Sequence, residues 1–330
     1  MVDETPRSRL ARVVAESALV RVVHHYGETP GFVLIGGLVP ELLCSGSSHR
    51  HAGTMDIDVQ VDLEIAAGAV NTKRLETALK NAEFEPDSER VWRWKAKGAA
   101  SGTLGKFELL ADIDTEPSGS TIEFVECEQL GAANLRGTGI AAHDVEPRSL
   151  RARVGDDWID ATINVTGLAG FLLAKAAAAH SRRKTKDWYD IAFVLIENDA
   201  GGVGSAIAAV ERVTGGDLRT HATALGDLRD NFAVPEAQGS VAYADQMLLD
   251  HPALDEATLR ADAVIAVTRF VDQLSRRVMV SSAIAIAIAS SERPTPGRPT
   301  VSPQRPSTRA KPVWAASPVQ ISRYRSTRPA

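Results

Sequence analysis

Asp56 and Asp58 stand one residue apart in Met55-Asp56-Ile57-Asp58-Val59, downstream of an apolar run, Val33-Leu34-Ile35, that ends in Gly36-Gly37. On a strand, side chains alternate with period two, so both carboxylates are expected on one face with the apolar residues on the other. Two same-face carboxylates repel, and a divalent cation relieves that repulsion. Mg²⁺ takes one or two carboxylates together with phosphate oxygens. A glycine pair before a helix lets a phosphate approach the backbone N–H groups. The chemistry to expect is therefore metal-assisted phosphoryl chemistry, with Asp56 and Asp58 holding Mg²⁺ or Mn²⁺, and a polyphosphate lying along Gly36 and Gly37. Two solvated aspartates on an edge strand are the plain alternative.

A two-metal site requires a third carboxylate from a neighbouring strand. Glu108 and Asp112 share one face of Lys106–Asp112, and Glu108 is set mid-strand among apolar neighbours, where an unpaired charge is costly. Thr54, just ahead of the acids, either donates to a phosphate or closes a loop. Further along, Lys175 interrupts an apolar helical stretch, so its ammonium either extends to water or meets a buried anion. Asp187 and Asp190 open the next helix, where carboxylates also favour the helix dipole. Arg182, Arg183, Lys184 and Lys186 form a basic run suited to a triphosphate or an RNA backbone, or to a solvated loop. Cys44, His49 and His51 lack a fourth ligand at structural-zinc spacing, and read better as loop polarity. Gly137-Thr138-Gly139 follows no apolar strand and reads as a turn.

Positioning these groups takes two kinds of segment. Arg9–His25 has helical apolar spacing, Gly31–Gly37 and Met55–Leu63 read as strands, and Lys73–Ala82 reads as an amphipathic helix. Val91–Ala96, Lys106–Asp112 and Thr121–Glu126 read as strands, with hairpin turns expected around Gly98–Gly105 and at Pro117–Ser120. From Val165 the pattern turns helical: Leu168–His180, Asp187–Glu197, Ala206–Val213, Leu218–Asp230 and Leu259–Leu274. The expected fold is α/β (α+β), a mixed sheet with flanking helices over residues 1–160. A helical domain over 161–277 completes the nucleotide site, and a Pro- and Arg-rich tail occupies 278–330. Val278–Ala289, alternating Ala and Ile, reads as a buried strand or helix end, too short to span a bilayer.

The Gly-Gly strand followed by Asp-x-Asp, and then Lys175…Arg182…Lys186-Asp187-Trp188-Tyr189-Asp190-Ile191, resemble the DNA polymerase beta-like nucleotidyltransferase superfamily, in particular its AbiEii-type members of type IV toxin–antitoxin systems. The resemblance spans about residues 30–200, with a longer gap between Gly37 and Asp56 than is usual there, read as an enlarged loop over Cys44–Ala52, and Gly37 in place of a phosphate-binding serine. It implies transfer of an NMP from an NTP to a hydroxyl acceptor, RNA or tRNA among the acceptors, with an antitoxin as partner. It also implies Glu108, ahead of Asp112, as third metal ligand, Lys175 on the nucleotide's phosphates and Asp187 as the functional acid of its pair. The rival is a protein of the same fold that has lost catalysis and binds nucleotides or partners.

Composition sets outer limits. The 330 residues carry a net charge of −5, unevenly: residues 291–330 hold eight Lys and Arg against one acid, and eight of the 16 prolines. That segment has too little apolar surface to offset ordering entropy, so disorder is expected. Two cysteines and the absence of a signal-peptide core near Met1 lead to the expectation of a cytoplasmic protein without a membrane segment.

Overall fold

The computed structural model describes residues 9–97, 105–291 and 326–327, with side chains for 10–97 and 105–276. Helix α1 (Arg9–Tyr26) leads into β1 (Val33–Ile35), a 3-10 turn (Gly36–Leu38) and the short α2 (Val39–Leu43). After a long loop come β2 (Ile57–Gln60), α3 (Asp62–Ala67), α4 (Ala69–Asn81), β3 (Phe84–Pro86), β4 (Arg93–Ala96), β5 (Lys106–Ala111), β6 (Thr121–Glu123) and β7 (Gly131–Asn134). A long hairpin, β8 (Val145–Val154) and β9 (Asp157–Thr166), closes the sheet region. Helices α5 (Leu168–Arg182), α6 (Thr185–Glu197), α7 (Val203–Thr214), α8 (Ala222–Asn231), α9 (Gln238–Asp250) and α10 (Glu256–Ser291) follow, with β10 at Ser326–Thr327. The fold is mixed α/β with a helical C-terminal region.

The sheet is mixed. Its order is β10-β6-β7-β5-β2-β1-β9-β8, with β4 also on β5 and β3 on β4. At its centre β2 pairs antiparallel with β1 and parallel with β5, and β1 pairs parallel with β9. Period two decides what each face carries. Ile57, Val59, Phe107 and Leu109 are fully buried on one face, where the Phe107 ring meets Phe32 and Phe84 edge-on at centroid distances of 6.0 Å each. Asp58 and Glu108 consequently face the other way.

Several sequence expectations change. The carboxylate strand is shorter than Met55–Leu63: it begins at Ile57, so Asp56 precedes it, and it stops where Asp62 starts α3. Pro117–Ser120 closes no β5–β6 hairpin, because β7 lies between those strands and pairs with both. β4 and β5 do pair antiparallel, while the turn expected between them falls on 98–104, outside the described residues. The β8–β9 hairpin carries the sheet past residue 160 to Thr166. Val278–Ala289 lies in the helical backbone of α10, and the rest of the expected tail, apart from β10, lies outside the described residues. Among the described residues no helix is long and apolar enough to cross a membrane.

Because Phe107 ties the central strand β5 to both Phe32 and Phe84, Phe107→Ala should cost about 3–5 kcal/mol of stability. Urea unfolding followed by circular dichroism measures it.

Candidate active site

The turn after β1 is built around Asp58. Ile35 is the register partner of Asp58, and Gly36 follows with φ +76°. A Cβ on Gly36 would lie 2.0 Å from Asp58 Oδ2, and one on Gly37 2.8 Å from Thr54 Cβ. Gly36 is required twice over, by the left-handed backbone and by the carboxylate against its Cα. The glycine pair therefore admits Asp58 and Thr54 first, rather than a phosphate alone. Thr54 is buried, and its Oγ1 accepts the Asp56 N–H at 3.2 Å, so it does close the loop.

The third acid comes from β5. Asp58 and Glu108 are register partners on adjacent parallel strands, and Glu108 is in turn the partner of Arg93 on β4. Arg93 holds Glu108 with Nε and Nη2 at 2.7 and 2.6 Å from one carboxylate oxygen. Asp112 is elsewhere: its Oδ2 accepts the amides of Gly137 and Gly139 at 2.8 and 3.0 Å, stapling the Gly137-Thr138-Gly139 turn. Asp56 has Lys186 Nζ at 3.9 Å. Asp58 has no ion-pair partner among the described residues. Burial, then the charges of Glu108 and Asp56, push its carboxyl up to about 6 against the pull of Arg182 and Lys186. Among the described residues no group of three or more His, Cys, Asp or Glu side chains is arranged to hold a metal. Glu108 is engaged by Arg93, and Asp56 has Lys186 nearby.

A second charged cluster is buried between α5 and α6. Lys175 Nζ lies 3.1 Å from Asp187 Oδ1 and 2.7 Å from Asp190 Oδ2, with both carboxylates fully buried. Arg182 grips Asp187 through Nε and Nη2, both at 2.7 Å. Burial works against the charge on Asp187, yet Lys175 and Arg182 overcome it and hold the carboxyl below its ordinary range. Burial likewise opposes the charge on Arg182, but Asp187 first and then Asp58 and Glu108 raise its pKa further. One guanidinium therefore senses both clusters. Asp187 does sit in the first turn of α6, but its oxygens are taken by side chains instead of helix amides. The Lys175 ammonium serves two protein carboxylates in place of a phosphate. The basic run divides: the partly exposed Arg182 reaches Asp187, Lys186 approaches Asp56, and Arg183 pairs with Asp227 at 2.7 Å on the surface.

The enlarged loop, Cys44–Ala52, is a clamp. Ser45 and Gly46 donate to Asp199, and Ser47 Oγ donates to Glu197 at 2.6 Å. His49 Nδ1 is 3.0 Å from the same Glu197 carboxylate. His51 is buried, stacked on Tyr189 with centroids 5.0 Å apart, and its Nδ1 accepts the Gly53 N–H at 3.2 Å. That leaves Nε2 to carry the proton toward Asp190 Oδ1, 3.0 Å away. The loop leading into the acids is thus fastened along α6. His51 and Arg93 were missed as site residues. The sequence reads the histidines as loop polarity in preference to zinc ligands, and nothing local tells that Arg93 faces Glu108.

Comparison with protein-family models, with curated proteins and with solved structures finds no match to this chain.

The two clusters should respond oppositely to neutralisation. Asp58 titrates at about 6 when folded against 3.8 ordinarily, so its contribution to stability is fully present below 3.8 and is lost as pH rises through 6. In metal-free buffer at pH 7, Asp58→Asn should therefore stabilise by about 1–3 kcal/mol, the gain vanishing near pH 4. Asp187→Asn leaves the buried Lys175 with Asp190 alone and takes the partner from the partly exposed Arg182, and should cost about 1–3 kcal/mol. Urea unfolding of both variants at the two pH values reads this contrast.

Proposed function

We propose that the protein is a metal-dependent nucleotidyltransferase that moves an NMP from an NTP to a hydroxyl acceptor, releasing pyrophosphate. The observation that carries this reading is the register of Asp58 with Glu108 beside the Gly36 turn, where burial first, and then the charges of Glu108 and Asp56, raise the Asp58 carboxyl. Three carboxylates are hard oxygen donors of the kind Mg²⁺ or Mn²⁺ takes. Asp56, Asp58 and Glu108 would hold it, Glu108 after exchanging Arg93 for the cation. Such an ion supplies charge stabilisation at a phosphoryl group and a lowered pKa for a bound hydroxyl.

The chain's own residues then have definite tasks. Asp58, held against Gly36, is oriented by strand register. Lys186 and Arg182 border the acids and offer positive charge to a triphosphate, with Asp187 and Lys175 fixing the guanidinium of Arg182 in place. The loop clamp through His51 holds Thr54–Asp56 against α6 so that the acids keep their position. RNA, including a tRNA end, is the acceptor we favour, through the resemblance of the Gly-Gly, Asp-x-Asp and Lys175–Asp190 motifs to toxin-type nucleotidyltransferases. The same resemblance suggests an antitoxin partner. A cytoplasmic setting accords with Cys44 and Cys127, both free thiols.

A second reading is a catalytically silent protein of this architecture that binds nucleotides or a partner. The Arg93–Glu108 ion pair favours it, since that contact occupies the third acid.

Each α-labelled NTP, incubated with the purified chain, Mg²⁺ or Mn²⁺ and total RNA, separates the two. Transfer should label RNA, and Asp58→Asn should lower labelling by about 100-fold or more. Mg²⁺ should also raise the unfolding temperature of wild type and not of Asp58→Asn. Absence of label in every acceptor, with no metal-dependent stabilisation, would leave the silent reading.

A further inference from the structure

The segment Arg90-Val91-Trp92-Arg93 interleaves aromatic and basic residues and runs into β4, whose first residue is Arg93. It forms a turn pinned on several sides. Arg93 N–H donates to Arg90 O at 2.9 Å, Leu109 N–H of β5 donates to Trp92 O at 2.9 Å, and Gly131 N–H of β7 donates to Val91 O at 3.2 Å. Trp92 is half-buried, with the guanidinium carbons of Arg93 and Arg90 lying 4.9 and 5.4 Å from its ring centroid. The two arginines differ. Arg93 is locked to Glu108, whereas Arg90 is exposed and has no carboxylate partner among the described residues. A half-buried indole ring flanked by two guanidinium groups, one of them exposed and without a carboxylate partner among the described residues, has the chemistry to hold a flat aromatic group that carries a phosphate.

The position of this platform is informative. Along the strand order β1-β2-β5-β4 the Gly36 turn lies on one side of Asp58 and the Trp92 turn on the other. From Asp58 to Arg93 is two strand spacings, roughly 10 Å. An in-line displacement places the attacking and leaving oxygens on opposite sides of the phosphorus. On the nucleotidyl-transfer reading, a triphosphate beside the Gly36 turn would leave the Trp92 side for an acceptor strand.

We propose that Trp92 and Arg90 form an acceptor subsite for a single-stranded polynucleotide. One base stacks on Trp92, displacing the Arg90 guanidinium, which swings to a neighbouring phosphate. The assignment rests on the nucleotidyl-transfer reading for its catalytic meaning, but binding alone tests it.

The probe is a fluorescein-labelled 12-nucleotide single-stranded RNA, followed by anisotropy across a salt series, with NTP binding measured by calorimetry on the same samples. Trp92→Ala should weaken RNA binding about 5- to 150-fold and leave NTP affinity unchanged. Trp92→Phe, which keeps a ring and guards against a folding artefact, should fall between. Arg90→Gln should lower the slope of log affinity against log salt by about 0.7. Equal losses of RNA and NTP binding would overturn the proposal by assigning the ring to the nucleotide pocket. So would undiminished RNA affinity in Trp92→Ala and Trp92→Phe, or equal affinity of wild type for a polyaspartate peptide. The two ideas fail separately. A wild type that ignores the RNA yet labels another acceptor sinks the subsite alone, whereas Trp92-dependent RNA binding with no Asp58-dependent transfer sinks the enzyme alone.

Discussion

Five carboxylates, Asp56, Asp58, Glu108, Asp187 and Asp190, gather where the sheet meets α5 and α6, and four cations, Arg93, Lys175, Arg182 and Lys186, stand among them. Such a cluster holds together only if nearly every charge finds an opposite one, since desolvated like charges repel strongly. Four of the acids have a base within ion-pair distance. Asp58 does not, and the remaining negative charge is concentrated there. That imbalance is the physical argument for a cation, and Arg182, felt by acids of both clusters, is where sheet and helices are electrically joined.

The clusters differ in what they ask of the fold. Lys175, Asp187 and Asp190 are closed in, with oxygens and ammonium protons paired to one another and to His51. An arrangement of this kind is stiff, because moving one member strands the others. The sheet acids are half-open and mismatched, the state expected of groups that exchange partners. Rigid support thus lies beneath an under-satisfied carboxylate. The loop from Cys44 to Ala52, bonded along α6 at Asp190, Glu197 and Asp199, extends that support to the peptide carrying Thr54 and Asp56.

Much of the scaffold was legible because period and punctuation are local. The apolar spacing of Arg9–His25 and the Ala- and Leu-rich run from Leu168 give helices close to their observed bounds, and the alternation in Lys106–Asp112 puts Glu108 opposite Phe107 and Leu109. The hairpin of β8 and β9 has no clear sequence signal, because β8 carries the exposed Arg148, Arg151 and Arg153 and lies at the sheet edge, where its pattern resembles a polar loop. β7, reading Gly-Ala-Ala-Asn, has no bulky residue to signal a strand. It is inserted between β5 and β6 by long-range pairing that no turn announces.

Composition, periodicity and the spacing of Gly36-Gly37, Asp56 and Asp58 thus determined which groups face away from the core and that the acids would cluster, because alternation along a strand is a property of the chain itself. The choice between Glu108 and Asp112, the burial of Lys175 between two aspartates, the attachment of Arg93 to Glu108 and the tie from His51 to Asp190 were decided only in three dimensions. Each depends on which strand or helix becomes a neighbour, and neighbours far apart in sequence are chosen by the packing of the whole core.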